Sequence, residues 1–74
     1  MMNITREQMI AAGKFQATFI KKTTGQERTG VFTVDANDQA FAAGNIVTVR
    51  DEDLGGQYRS IDVTTVTDFK QLPA

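Results

Sequence analysis

The stretch KFQATFIKKTTGQERTGVFTVD, residues 14–35, carries two runs of alternating apolar residues around a turn. Its first half alternates: Phe15, Ala17 and Phe19 fall on one face, and Gln16, Thr18, Ile20 and Lys22 on the other. A period of two belongs to a half-buried β-strand, whose successive side chains point to opposite sides. The second half alternates too, with Gly30, Phe32 and Val34 on one face. Between them, TTGQE supplies a turn in which Gly25 can take positive φ. Two such runs around a turn predict an antiparallel hairpin. Gly30 within the second run predicts a bulge or a bend.

On the N-terminal side, ITREQMIAAG predicts a short helix over about residues 4–13. Thr5 and Gln8, three apart, form a capping box in which each side chain satisfies an exposed backbone N–H. Met9 and Ile10 face the core, and Gly13 suits the helix end. On the C-terminal side, ANDQAFAAGN reads as a loop or one helical turn, capped by Asn37 or Asp38 and anchored by Phe41. NIVTVRD is a strand with Val47 and Val49 inward, EDLGGQ a turn, and YRSIDV a strand with Ile61 and Val63 inward. Val66 and Phe69 then mark a tight turn leading to a closing strand.

Val, Ile and Thr make up 21 of the 74 residues, which favours sheet over helix. One helix and five short strands in so short a chain leave little core for an open sheet with exposed edges. A single domain, residues 1–74, is therefore expected: mostly β, a strongly curved, five-stranded SH3-like small barrel. With neither Cys nor His, the chain has no disulfide or zinc staple, so its core or an oligomer must hold it.

The same absence excludes Ser-His, Cys-His and His-based metal chemistry. No cofactor is implied, and a non-enzymatic role is expected. No apolar run is long enough to span a bilayer and no leader pattern opens the sequence, which reads as cytoplasmic. The net charge of −1 argues against a general nucleic-acid binder. Charge is nonetheless uneven. Residues 1–37 hold five Lys/Arg and three Asp/Glu, whereas residues 38–74 hold three and six.

Three motifs carry candidate function. DEDLGGQYRSID, residues 51–62, places Asp51, Asp53 and Asp62 at positions one, three and twelve of a calcium-loop pattern, with Gly56 at position six. Gly at position five, Asp in place of a bidentate Glu at twelve, and flanking strands favour an acidic, solvated β-turn instead. Lys21 and Lys22, with Arg28 across the turn, form a basic hairpin tip, suited to phosphate contact or to protecting a strand edge. The third motif is Tyr58-Arg59-Ser60. Alternation with Ile61 turns Arg59 inward, and the cost of an unpaired buried charge drives its head to the rim, beside Asp51 or Asp53. Tyr58 then lies on the outer face, with Arg50 as a stacking partner. The group is either strand-start packing or an aromatic-basic contact patch.

Several of these residues resemble a known family. VTVRDED…GGQYRSIDVTTVTDF resembles the C-terminal half of small SH3-like barrel proteins of tailed phages, cyanophages included, and of some bacteria. The matching positions are Val47, Val49 and Asp51, then Tyr58, Arg59, Ser60 and Ile61, then Val66 and Phe69. The N-terminal half is similar to that family through its capped helix and through Phe19, Lys21, Lys22, Gly25, Arg28 and Thr29. The family often has Trp before the Arg and an aromatic in the preceding strand, where this chain has Tyr58 and Arg50. The resemblance implies a barrel and a phage context, hence the host cytoplasm, and carries no activity. A small interaction module that binds a protein partner, such as a host protein, is the leading expectation. A weak nucleic-acid binder using Lys21, Lys22, Arg28 and Arg59 is the alternative, and a self-associating structural protein the third.

Overall fold

The structure, a computed structural model, describes residues 4–40 and 42–73. It contains one short helix, α1 (Arg6–Ala12), and five strands: β1 (Lys14–Ile20), β2 (Glu27–Thr33), β3 (Ile46–Asp51), β4 (Gln57–Asp62) and β5 (Val66–Gln71). The strands form one antiparallel sheet in the order β4-β3-β2-β1-β5.

The capping box starts α1. The Gln8 amide donates to Thr5 Oγ1 (3.1 Å) and the Thr5 amide to Gln8 Oε1 (2.9 Å). Seven residues are too few for a helix to hold by itself in water. Tertiary contacts hold this one: Met9 is fully buried, and Arg6 Nε donates to the Ile46 carbonyl at 2.8 Å. Gly13 ends the helix at φ 74°, a conformation open to glycine and costly for other residues.

The hairpin of residues 14–35 forms as its alternation predicts. The register runs from Lys14↔Thr33 to Ile20↔Glu27 without interruption, and Phe15, Ala17, Gly30, Phe32 and Val34 are buried. Gly30 makes no bulge in this ladder. A Cβ there would lie 2.9 Å from Phe32 Cζ and 3.3 Å from Asp53 Oδ2, so the glycine makes room for the ring and the carboxylate. The irregularity falls elsewhere, where β1 pairs with β5. Ala17 opposes Phe69 and Phe19 opposes Val66, with one residue extra on β5. Residues three apart on a regular strand face opposite ways; the bulge lets Val66 and Phe69 share the inner face.

Residues 36–39 form a 3-10 turn, and its cap is Asp35, whose carboxylate accepts from the Asn37 amide, rather than Asn37 or Asp38. The expected anchor, Phe41, lies outside the described residues. β2 and β3 pair only at Phe32↔Asp51 and Thr33↔Arg50. The Gln39 side chain serves part of the remaining β3 edge, donating to the Thr48 carbonyl (2.7 Å) and accepting from the Thr48 amide (2.9 Å). A buried backbone group left unpaired is costly, which gives this amide its structural role. Val63 is buried as predicted, but it opens a 3-10 turn, Val63–Thr65, rather than ending β4.

The core is one cluster: Met9, Phe15, Ala17, Phe32, Val34, Val47, Val49, Ile61, Val63 and Val66. Phe19 and Phe69 pack against it half-buried, with ring centroids 5.8 Å from Phe32 and 5.0 Å from Phe15 respectively. The sheet is not closed: among the described residues no ladder joins β4 to β5, and both are edges. Full closure was expected because open edges are a liability. Here β4 passes into β5 through the three-residue turn Val63–Thr65, which turns the chain to the far edge without a pairing register between them.

Candidate functional site

Alternation and register bring an acid and two bases to the inner face. Asp51 opposes Phe32, and Arg59 opposes Val49. Cross-strand partners share a face, so both side chains point inward. Arg28, two residues before Gly30, follows them. Asp51 is fully buried: Arg28 Nη2 donates to its Oδ2 at 2.6 Å, and Arg59 Nε stands 3.9 Å from the same oxygen. Its Oδ1 accepts from the Asp53 amide at 3.0 Å, capping the 3-10 turn Glu52–Leu54.

This corrects two expectations. Asp51 is the buried centre of an ion-pair cluster and not a solvated turn carboxylate. Arg28 leaves the hairpin tip for the sheet interior, with 22% of its side chain exposed. Arg59 takes the predicted rim position, 46% exposed, but as the second and more distant partner of Asp51.

The calcium-loop residues separate. Asp51 pairs with Gln57 at one end of the β3–β4 ladder, and Asp62 pairs with Ile46 at the other. Asp53 turns to the Val31 amide (3.4 Å), while Asp62 binds Lys22 Nζ at 2.5 Å and the Thr64 amide at 2.9 Å. Among the described residues no cluster of three or more acidic side chains is placed to hold a metal.

The Lys22–Asp62 bridge ties the β1–β2 loop to the end of β4. Lys22 first, then Thr64, hold the Asp62 carboxyl below its ordinary 3.8, at about 2. The folded-state value is the lower one, so this contribution to stability is complete above pH 3.8 and is lost as pH falls through about 2. We expect thermal melts between about pH 2 and 5 to show that loss and Lys22→Gln to reduce it. An unchanged pH profile in Lys22→Gln would remove the bridge as its cause.

A groove of about 320 Å³ lies between this loop and β4. Lys21, Lys22, Arg28 and Arg59 all line it, together with the apolar residues Phe19, Ile20 and Ile46. Four cations, three from the β1–β2 hairpin and one from β4, thus meet in one concavity. Two are neutralised, Lys22 by Asp62 and Arg28 by Asp51. Lys21 has no acidic partner among the described residues, and Arg59 makes no hydrogen bond there.

Tyr58 and Arg50 form a second, separate patch on the outer face. The Arg50 guanidinium carbon lies 5.2 Å from the Tyr58 ring centroid, and Nη2 donates to the Tyr58 hydroxyl at 3.0 Å. Asp38 completes the group, 3.3 Å from Arg50 Nε, and is the main cause of the raised Arg50 pKa. Tyr58 is 59% exposed. Tyr58 and Arg59, adjacent in sequence, therefore belong to opposite faces and do not form one surface.

Sequence reasoning gave Asp38 only as a turn cap and missed its contact with Arg50, and it missed the Gln39 clamp on Thr48 and the grouping of Phe19, Ile20 and Ile46. The inward pair Arg28 and Asp51 did carry a signal. Each continues the inward parity of its strand, Arg28 with Gly30 and Phe32, and Asp51 with Val47 and Val49. No helix among the described residues is long and apolar enough to cross a membrane. No family model, curated protein or solved structure matches this chain.

Proposed function

We propose that the chain is a small non-enzymatic interaction module that binds a protein partner through the groove between the β1–β2 loop and β4. The observation that carries this reading is the convergence of Lys21, Lys22, Arg28 and Arg59 beside an apolar wall. Protein contacts favour such mixtures of Arg with packed apolar surface. An SH3-like barrel is the architecture we assign. Its support is the order β4-β3-β2-β1-β5, in which a single further ladder, β4 to β5, completes a ring. Phage origin and a place in the host cytoplasm rest on the resemblance of the YRSI strand and the KKTTGQERT hairpin.

The test is affinity capture from a bacterial lysate, repeated with two variants. The double variant Lys21→Glu/Arg59→Glu should lose the partner, and Tyr58→Ala should retain it. The opposite pattern would move the contact surface to the outer Tyr58–Arg50 patch. The same four cations support a second reading, phosphate-backbone contact with nucleic acid. Its signature is affinity that falls steeply with salt, with a slope reduced by about one for each cation removed. Salt-insensitive binding to a protein would exclude it.

A further inference from the structure

Arg59 is only loosely paired in the groove. Its nearest carboxylate, Asp51, is 3.9 Å away, and both oxygens of that carboxylate are engaged, Oδ2 by Arg28 at 2.6 Å and Oδ1 by the Asp53 amide at 3.0 Å. Arg59 lines the groove, and its side chain donates no hydrogen bond among the described residues. Lys21, also in the lining, has no acidic partner among the described residues. Lys22 is already closed by Asp62 at 2.5 Å. The open positive charge thus lies with Arg59 and Lys21, next to Phe19, Ile20 and Ile46.

We propose that this groove takes an extended acidic peptide segment, seating an Asp or Glu carboxylate on Arg59 and an adjacent apolar side chain against Phe19, Ile20 and Ile46. Guanidinium and carboxylate match as two parallel hydrogen bonds, and the apolar wall supplies the contact a free anion leaves unused. The volume of about 320 Å³ is at the small end of binding concavities, suited to a few side chains. β4 carries Arg59 and is a sheet edge, so an extended segment finds free backbone beside it. A nucleic-acid occupant fits less well. The one tyrosine, a stacking platform for bases, is on the opposite face, and the net charge is −1.

This inference rests on the reading of the chain as a protein-binding module, and the test separates the two. A library of capped seven-residue peptides is selected against the intact chain. The selected peptides should carry Asp or Glu next to an apolar residue. Arg59→Gln should weaken the best of them about tenfold or more, the loss of a charge-assisted pair. Arg59→Lys should recover only part of that, because a point charge lacks the fork. Lys21→Gln, at an exposed side chain without an acidic partner among the described residues, should weaken binding with the melting curve unchanged, which keeps the test valid if Arg59→Gln disturbs the fold. Selection of no peptide of any composition overturns both readings. Peptides without acidic residues, or the same set selected by Arg59→Gln, overturn the acidic occupant alone. A single-stranded oligo-dT that displaces the selected peptides, with steep salt dependence, overturns it in favour of nucleic acid.

Discussion

Phe32→Ala is expected to cost about 3–5 kcal/mol, the range for truncating a fully buried aromatic ring. Phe32 has no exposed surface and touches both of the other hairpin rings, with centroids 5.8 Å from Phe15 and 5.8 Å from Phe19. A chain of this length has a total stability of roughly 4–11 kcal/mol. The variant should therefore be marginal or unfolded at room temperature, read as a denaturant midpoint shifted strongly downward at unchanged slope. Phe69→Ala, at a half-buried edge-strand position, should cost distinctly less. Equal effects at the two positions would show that the core is not centred on the β1–β2 hairpin.

Asp51→Ala is expected to cost about as much, roughly 3–5 kcal/mol, by a different route. It strips the partner at 2.6 Å from Arg28, whose side chain is 22% exposed, and removes the carboxylate 3.9 Å from Arg59. It also removes the cap on the Glu52–Leu54 turn, a loss of about 1 kcal/mol. Asp51→Asn keeps an acceptor for the cap and loses only the charge, so it should fall between wild type and Asp51→Ala. The double variant Asp51→Leu/Arg28→Met removes both charges and should recover most of the loss, since well-packed apolar residues replace buried ion pairs at little cost. Denaturant melts of the four proteins decide the point. If the double variant is as unstable as Asp51→Ala, the damage comes from the lost cap and packing, and the ion pair is not the cause.

The two predictions differ in how far the sequence alone leads to them. Phe32 is legible at once, as one of three inward positions on a strand of period two. Asp51 is legible only if parity is followed past the point where residue type argues against it. Val47, Val49 and Asp51 alternate strictly, yet a carboxylate in a run of acidic residues reads as a solvated turn. The calcium-loop spacing fails for a related reason. Twelve residues that fold as a hairpin carry their first and last positions to opposite ends of the β3–β4 ladder. Spacing along the chain is distance in space only when the local structure is known.

Local physics makes four features legible from the residues alone: the capped helix at Thr5, the alternation of the strands, the turn glycines, and the exclusion of His- and Cys-based chemistry. Three further matters arise only in the assembled fold. The open sheet goes with the Val63–Thr65 turn and with a bulge in β5 opposite Thr18 and Phe19, and that bulge exists only in the pairing of β5 with β1. The pairing of Asp51 with Arg28, 23 residues away in sequence, depends on how β3 sits against β2, which no local preference encodes. The groove depends on the folding of residues 19–28 against β4, which assembles separate cations and an apolar wall into one concavity while sending Tyr58, the neighbour of Arg59, to the opposite face. In each case the deciding contacts are long-range, and their energies exist only once the chain has brought distant segments together.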